Sequence, residues 1–157
     1  MRPTIILTTL ALLAAGQASA LSCMRPDPAM AFDHVATVPE PWFVLYGELS
    51  FDESLLPETD LSNPNQSYPP IPASFRGKGL TKAGFTSDYV SPVQVQIECA
   101  GPWCGSAESG TGLYFVRADT EPATIVAAPC GEYVYADPAP EVLDLMTTCI
   151  NNGRCTQ

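Results

Sequence analysis

The sequence predicts a mainly β domain, a small closed barrel of about five strands with a short helix at each end. Three observations predict it. Short segments rich in Val, Ile, Tyr, Phe and Trp alternate with Gly- and Pro-rich turns, as sequential antiparallel strands do. Helical spacing is confined to the two ends of the region after residue 20. Six cysteines, at 23, 99, 104, 130, 149 and 155, all follow a leader-like N-terminus.

That leader is residues 1–20. Met1-Arg2 supplies the positive start, Ile5 to Ala15 the apolar run, and Ala18-Ser19-Ala20 the small-residue cleavage pattern. The run is too short for a membrane span, which needs about 20 apolar residues, and no later stretch qualifies. Cleavage after Ala20 leaves residues 21–157 as a single domain. The expected setting is therefore exported, periplasmic or extracellular, and soluble. Lipidation of Cys23 would leave an odd cysteine in an oxidising compartment, so a lipid-free chain is expected. Seventeen acidic residues face seven basic ones, with a net charge of −10. Scattered acids of that excess serve solubility and argue against nucleic acid or anionic lipid as partner, since both need positive charge.

The elements follow in order. Asp27 is a suitable N-cap and Pro28 a suitable first residue for a short helix over Ala29 to Val35. Trp42 to Phe51 reads as a strand too apolar to be an exposed edge. Leu56 to Ala73 holds five prolines and reads as one long loop. Phe75 to Ala83 is a short, glycine-broken strand. Val93 to Glu98 alternates apolar and polar residues, as a half-buried strand does. After the turn Gly105 to Gly112 come strands at Leu113–Val116, Ala123–Ala128 and Tyr133–Tyr135. A helix then follows Pro138-Ala139-Pro140, with Val142, Leu143, Leu145, Met146 and Ile150 at helical spacings and Gly153 as its stop.

Six cysteines allow 15 pairings. Cys99 and Cys104 flank the turn Ala100-Gly101-Pro102-Trp103, within the reach of a bridge. Cys149 and Cys155 flank the end of the last helix. The remainder pairs Cys23 with Cys130, and closing a loop of about 100 residues is worth about 4–5 kcal/mol in the chain-entropy model. A four-cysteine zinc site built on C-x4-C and C-x5-C is the rival, but thiolate zinc sites belong mainly to reducing compartments.

Taken together, Cys23, Phe32, the strand ending Tyr46-Gly47-Glu48-Leu49, Trp103-Cys104-Gly105, Gly112 to Val116, Pro129-Cys130 and the late Cys149 and Cys155 resemble the netrin-type module of tissue inhibitors of metalloproteinases. The resemblance implies an OB-fold: a small closed five-stranded OB-like barrel, disulfide-stapled. It also implies a protein partner. Family inhibitors start with Cys-x-Cys, whose free amino group and carbonyl chelate the protease zinc. Here Leu21-Ser22 precede Cys23 and Met24-Arg25 follow it, so the second cysteine is missing and a metalloprotease partner by that route requires trimming to Cys23.

No catalytic constellation stands out. His34 is the single histidine, Asp33 beside it would point elsewhere on a helix, and neither G-x-S-x-G nor H-E-x-x-H occurs. Asp52, Glu53, Glu58 and Asp60 lack the register of a calcium loop. No metal or cofactor is assigned. Of the aromatic residues, Trp42 is expected in the core, and Trp103 is an exposed anchor or packs on its disulfide. Cys23, Met24, Trp103 and Tyr68 are the candidate binding residues. The expected role is a binding or interaction module of protease-inhibitor type, with a small exported hydrolase or a structural envelope domain as alternatives.

The mature chain's intact mass should correspond to residues 21–157 with three bridges, and its six thiols should react with an alkylating agent only after reduction. More than one free thiol before reduction would defeat the framework.

Overall fold

A computed structural model describes residues 22–58 and 60–155; the leader assigned to residues 1–20 lies outside the described residues. The chain is mainly β, with two short helices and three disulfides. The first helix, α1, spans Pro28–Val35. Its cap is Asp27, extended at φ −129° and ψ 117°, whose carboxylate accepts from Ala29 N at 2.9 Å. Strands β1 (Trp42–Phe51), β2 (Ile71–Thr81) and β3 (Gly84–Ile97) follow, with a 3-10 turn at Glu53–Leu55 after β1. Cys99–Ala100 (β4) and Trp103–Cys104 (β5) form a small separate hairpin. Strands β6 (Gly110–Arg117), β7 (Ala123–Ala127) and β8 (Val134–Ala136) precede α2 (Pro140–Asn152), which stops at Gly153 with a left-handed φ of 74°.

Hydrogen-bonded neighbours run β1-β2-β3-β7-β6-β8, and β1 also pairs with β6. The pairing β3–β7 is parallel and the others are antiparallel. β1 thus has a partner on both sides, which explains an apolar content that no edge strand would carry.

Two apolar clusters lie on opposite sides of the sheet, as the two-residue period of a strand requires. Leu45, Leu49, Phe75, Val93, Val95, Val116 and Ile125 form one. Val44, Leu113 and Phe115 face the other way and pack under the helices against Ala31, Phe32, Met146 and Cys149. β6 is buried from Gly112 to Val116 for this reason: helices cover one face and the larger cluster the other. Asp33 ties α1 to the segment after α2: its carboxylate accepts from Cys155 N at 2.6 Å. The sequence reading gave Asp33 no such partner, because the contact spans 122 residues.

Two strands are longer than expected. β2 begins at Ile71, inside the segment read as loop. Pro72 lies beyond the last β1 partner, since Phe51 pairs Ala73, so at Pro72 the strand has a neighbour on one side only. A residue without an N–H is tolerated there. β3 begins at Gly84 instead of Val93. Pro92 likewise sits one residue before the β7 pairing, which opens at Val93 opposite Ala123. The half of β3 before Pro92 holds no buried residue and carries no alternating apolar signal. The predicted turn Ala100-Gly101-Pro102-Trp103 closes a hairpin of two two-residue strands, β4 and β5, locked by the Cys99–Cys104 bridge across a registered pair.

A row of three glycines crosses the sheet. Gly47 of β1 sits opposite Gly77 of β2 and also opposite Gly112 of β6. A Cβ on Gly47 would collide with the Arg76 carbonyl oxygen, and one on Gly77 with the Tyr46 carbonyl oxygen. On Gly112 it would meet the Tyr114 ring at 2.8 Å. Backbone cannot give way as a side-chain tip can. Gly47→Ala should therefore cost about 3 kcal/mol, at the top of the overpacking range. Gly110→Ala, where a Cβ meets nothing within 4 Å, should lose only about 1 kcal/mol of backbone strain. Urea unfolding of the two variants checks the contrast; equal losses would remove the close approach as the cause.

Candidate functional site

The N-terminal segment before α1 reaches back across the end of the sheet and is pinned there. Cys23 bonds Cys130, with Cα atoms 5.4 Å apart and a sequence separation of 107. Cys130 lies in the turn between β7 and β8, where Gly131 N donates to Ala128 O at 3.0 Å and Gly131 has φ 72°. That left-handed turn suits glycine, and it brings Pro26 close: a Cβ on Gly131 would lie 3.5 Å from the Pro26 ring.

Between this segment, α1 and β8 lies a cavity of about 430 Å³. Cys23, Met24 and Arg25 form one wall, Met30 and His34 of α1 a second, and Tyr133 and Tyr135 a third. Met24 is 71% exposed and Met30 50%. The tyrosines are held firmly. Tyr135 hydroxyl donates to Glu132 O at 2.7 Å, and the Tyr133 ring stacks 5.0 Å from Trp42 and 6.3 Å from His34.

A neighbouring cleft under His34 is lined by Glu40, Trp42, Glu98 and Arg117. Trp42, expected in the core, is half-buried here, and its enclosed Nε1 has no hydrogen-bond partner. A groove of about the same volume as the N-terminal cavity runs over the open face of β1 to β3. Glu48, Arg76 and exposed Val90 line it, with buried Phe75 its one aromatic residue.

Of the four candidate residues, Cys23 and Met24 line the N-terminal cavity and Tyr68 and Trp103 do not. Those two belong to a different neighbourhood, joined by Gln66. Its side-chain oxygen accepts from Tyr68 hydroxyl at 2.6 Å, and its amide donates to Pro102 O at 3.1 Å, next to half-buried Trp103. Tyr68 O in turn accepts from Gln96 Nε2 at 3.0 Å. Tyr68 thus anchors the proline loop to β3.

The sequence reading passed over Met30, Tyr133 and Tyr135 as site residues. The signals were the i, i+4 spacing of Met30 and His34 on a helix, and the i, i+2 spacing of the tyrosines on a strand. The cavity offers two thioethers, a guanidinium, two phenols, an imidazole, the Ser22 hydroxyl and the carboxylates of Asp27 and Glu132. Neither a protein-family model, nor a curated protein, nor a solved structure matches this chain.

Four phenols hold their protons beyond the ordinary range. Burial is the first cause for Tyr89, Tyr114, Tyr133 and Tyr135, with carboxylates adding to each: Glu121 for Tyr89, Asp137 for Tyr114, Glu132 and Glu98 for Tyr133, Asp27 and Glu132 for Tyr135. Tyr114 is pushed from 10.0 to about 12. A native pKa above the unfolded one means that the folded chain keeps the proton longer. Its contribution to stability is complete below pH 10 and is lost as pH climbs toward 12. Unfolding free energy should therefore fall across that window, and Tyr114→Phe should flatten part of the fall. An unchanged slope in the variant would contradict the assignment.

Proposed function

We propose that this chain is an exported interaction module that docks a protein partner through its N-terminal ridge, on a closed OB-like barrel of the netrin inhibitor type. In this reading β1, β2, β3, β7 and β6 make up the barrel, supported by the pairings that lead from β1 around to β6 and back. Export is supported by three disulfides and by the lack, among the described residues, of a helix able to cross a membrane.

One observation carries the docking reading. Two methionines, 71% and 50% exposed, flank a cavity whose floor is a disulfide. Exposed thioethers are costly to leave in water and adapt readily to a partner's shape. The Cys23–Cys130 bridge fixes the ridge before any partner arrives, so less ordering entropy is lost on docking. The ridge differs from that of the zinc-chelating inhibitors. With Leu21 and Ser22 ahead of Cys23, its nitrogen is an amide and a poor metal donor.

The mature chain should retain one reproducible protein from the native exported fraction, and Met24→Glu with Met30→Glu should lose it while unfolding at the same urea concentration. The chain beginning at Leu21 should leave zinc metallopeptidases uninhibited. Retention undiminished by the paired substitution would overturn the ridge as the docking surface.

A further inference from the structure

We propose that Met24, Met30 and His34 form a copper(I) site on the N-terminal ridge. Met30 and His34 are four apart on α1 and so share one face of the helix, about 5–6 Å between Cβ atoms. Met24 lies on the same cavity, approached from the segment just ahead of the helix. Its placement is constrained at both ends. Cys23 is bonded to Cys130 immediately before it, and the Asp27 cap, bonded to Ala29 N, follows three residues later.

The donor chemistry selects the ion. Two thioethers and an imidazole are soft and borderline donors, a set that suits copper(I) and offers little to calcium, magnesium or manganese. All six cysteines are in disulfides. In an oxidising compartment thiolates are thus removed from metal binding, and thioethers are the soft sulfur donors that remain. The third described methionine gives the contrast: Met146 is 0% exposed, packed under α2 in the core. Core filling explains Met146 but neither ridge methionine. Three neutral donors leave the ion's single positive charge to its surroundings. Asp27 and Glu132 line the cavity against one cation, Arg25, in a chain whose net charge is −10.

This site is independent of the docking reading: it needs no protein partner, and either can fail alone. The test uses copper(I) supplied as its bathocuproine disulfonate complex, without oxygen, and the oxidised mature chain. The wild type should withdraw one copper(I) per chain from the dye. Met24→Leu with Met30→Leu should abolish the withdrawal. His34→Ala should weaken the affinity by about tenfold or more, since even partners one shell further out matter on that scale. Met146→Leu, a volume-conserving change in the core, should leave uptake unaltered. Silver(I), a redox-inert stand-in, should shift the methyl resonances of Met24 and Met30 and leave that of Met146 in place. Uptake that persists in the double leucine variant, or that appears only after the disulfides are reduced, would overturn the site.

Discussion

The close approach of three backbones at Gly47 is the constraint on which the rest of the sheet depends. β1 is hydrogen-bonded to β2 along one edge and to β6 along the other, and at residue 47 both neighbours also present glycine. A side chain at Gly47 or Gly77 would meet a carbonyl oxygen of the adjoining strand, not a movable tip. Removing side chains along one row lets strands bend and coil sharply where a regular pleat would stay flat. Tyr114 then folds over the gap at Gly112 and its hydroxyl donates to Gly110 O at 3.0 Å, which closes the same row from the β6 side. Because β1 holds both partners, Leu45 and Leu49 point into one cluster while Val44 supports the helices on the other face.

The helices and bridges transmit that geometry to the ridge. α1 rests on Phe115 and Val44 through Phe32, and α2 adds Met146 and Cys149 to the same cluster. The Cys149–Cys155 bridge turns the chain end back, where Cys155 N finds the Asp33 carboxylate. A charge-assisted hydrogen bond of this kind contributes about 1.5–3 kcal/mol, and here it ties the first helix to the last residues described. The segment before α1 has a different attachment. Among the described residues, no backbone hydrogen bond between residues 22–26 and the sheet accompanies the Cys23–Cys130 bridge. Its position therefore rests on that covalent link, on Pro26 against Gly131, and on the helix cap.

The parts of this fold that were legible in the sequence are those where a local rule and the tertiary environment agree. Trp42 to Phe51 was readable to its ends because a strand paired on both edges is largely apolar, with Glu48 and Ser50 marking its open face. Asp27, Pro28 and Gly153 marked helix ends because capping is local chemistry. The bridges followed from turns of four or five residues, with the long one left over. Pro72 and Pro92 hid the true extent of β2 and β3. A proline reads as a break unless one knows that the neighbouring strand has already ended. The site was half legible. Cys23 and Met24 stood out by position, whereas Tyr133 and Tyr135 reach the cavity through the Gly131 turn and a strand pairing that no local pattern records.

Two departures from ordinary packing meet at the ridge. Met24 and Met30 stand in solvent on one cavity, whereas the other exposed large apolar residues, Leu55, Leu61, Val90 and Leu145, lie away from it. Trp42 Nε1 is the buried side-chain donor left without a partner among the described residues, a deficit of about 1–3 kcal/mol for a group of this type. Its indole stacks on Tyr133, which lines the ridge cavity on its other side. Natural sequences tolerate such local conflicts chiefly where function requires them. Tyr133 and Tyr135 line the cavity with the Cys23–Cys130 bridge and the two thioethers, and Trp42 backs Tyr133. The energy forgone at the indole, about 1–3 kcal/mol, is less than the about 4–5 kcal/mol that closing the long Cys23–Cys130 loop contributes. That bridge is therefore what allows an unfavourable surface to persist at the end of a well-packed sheet.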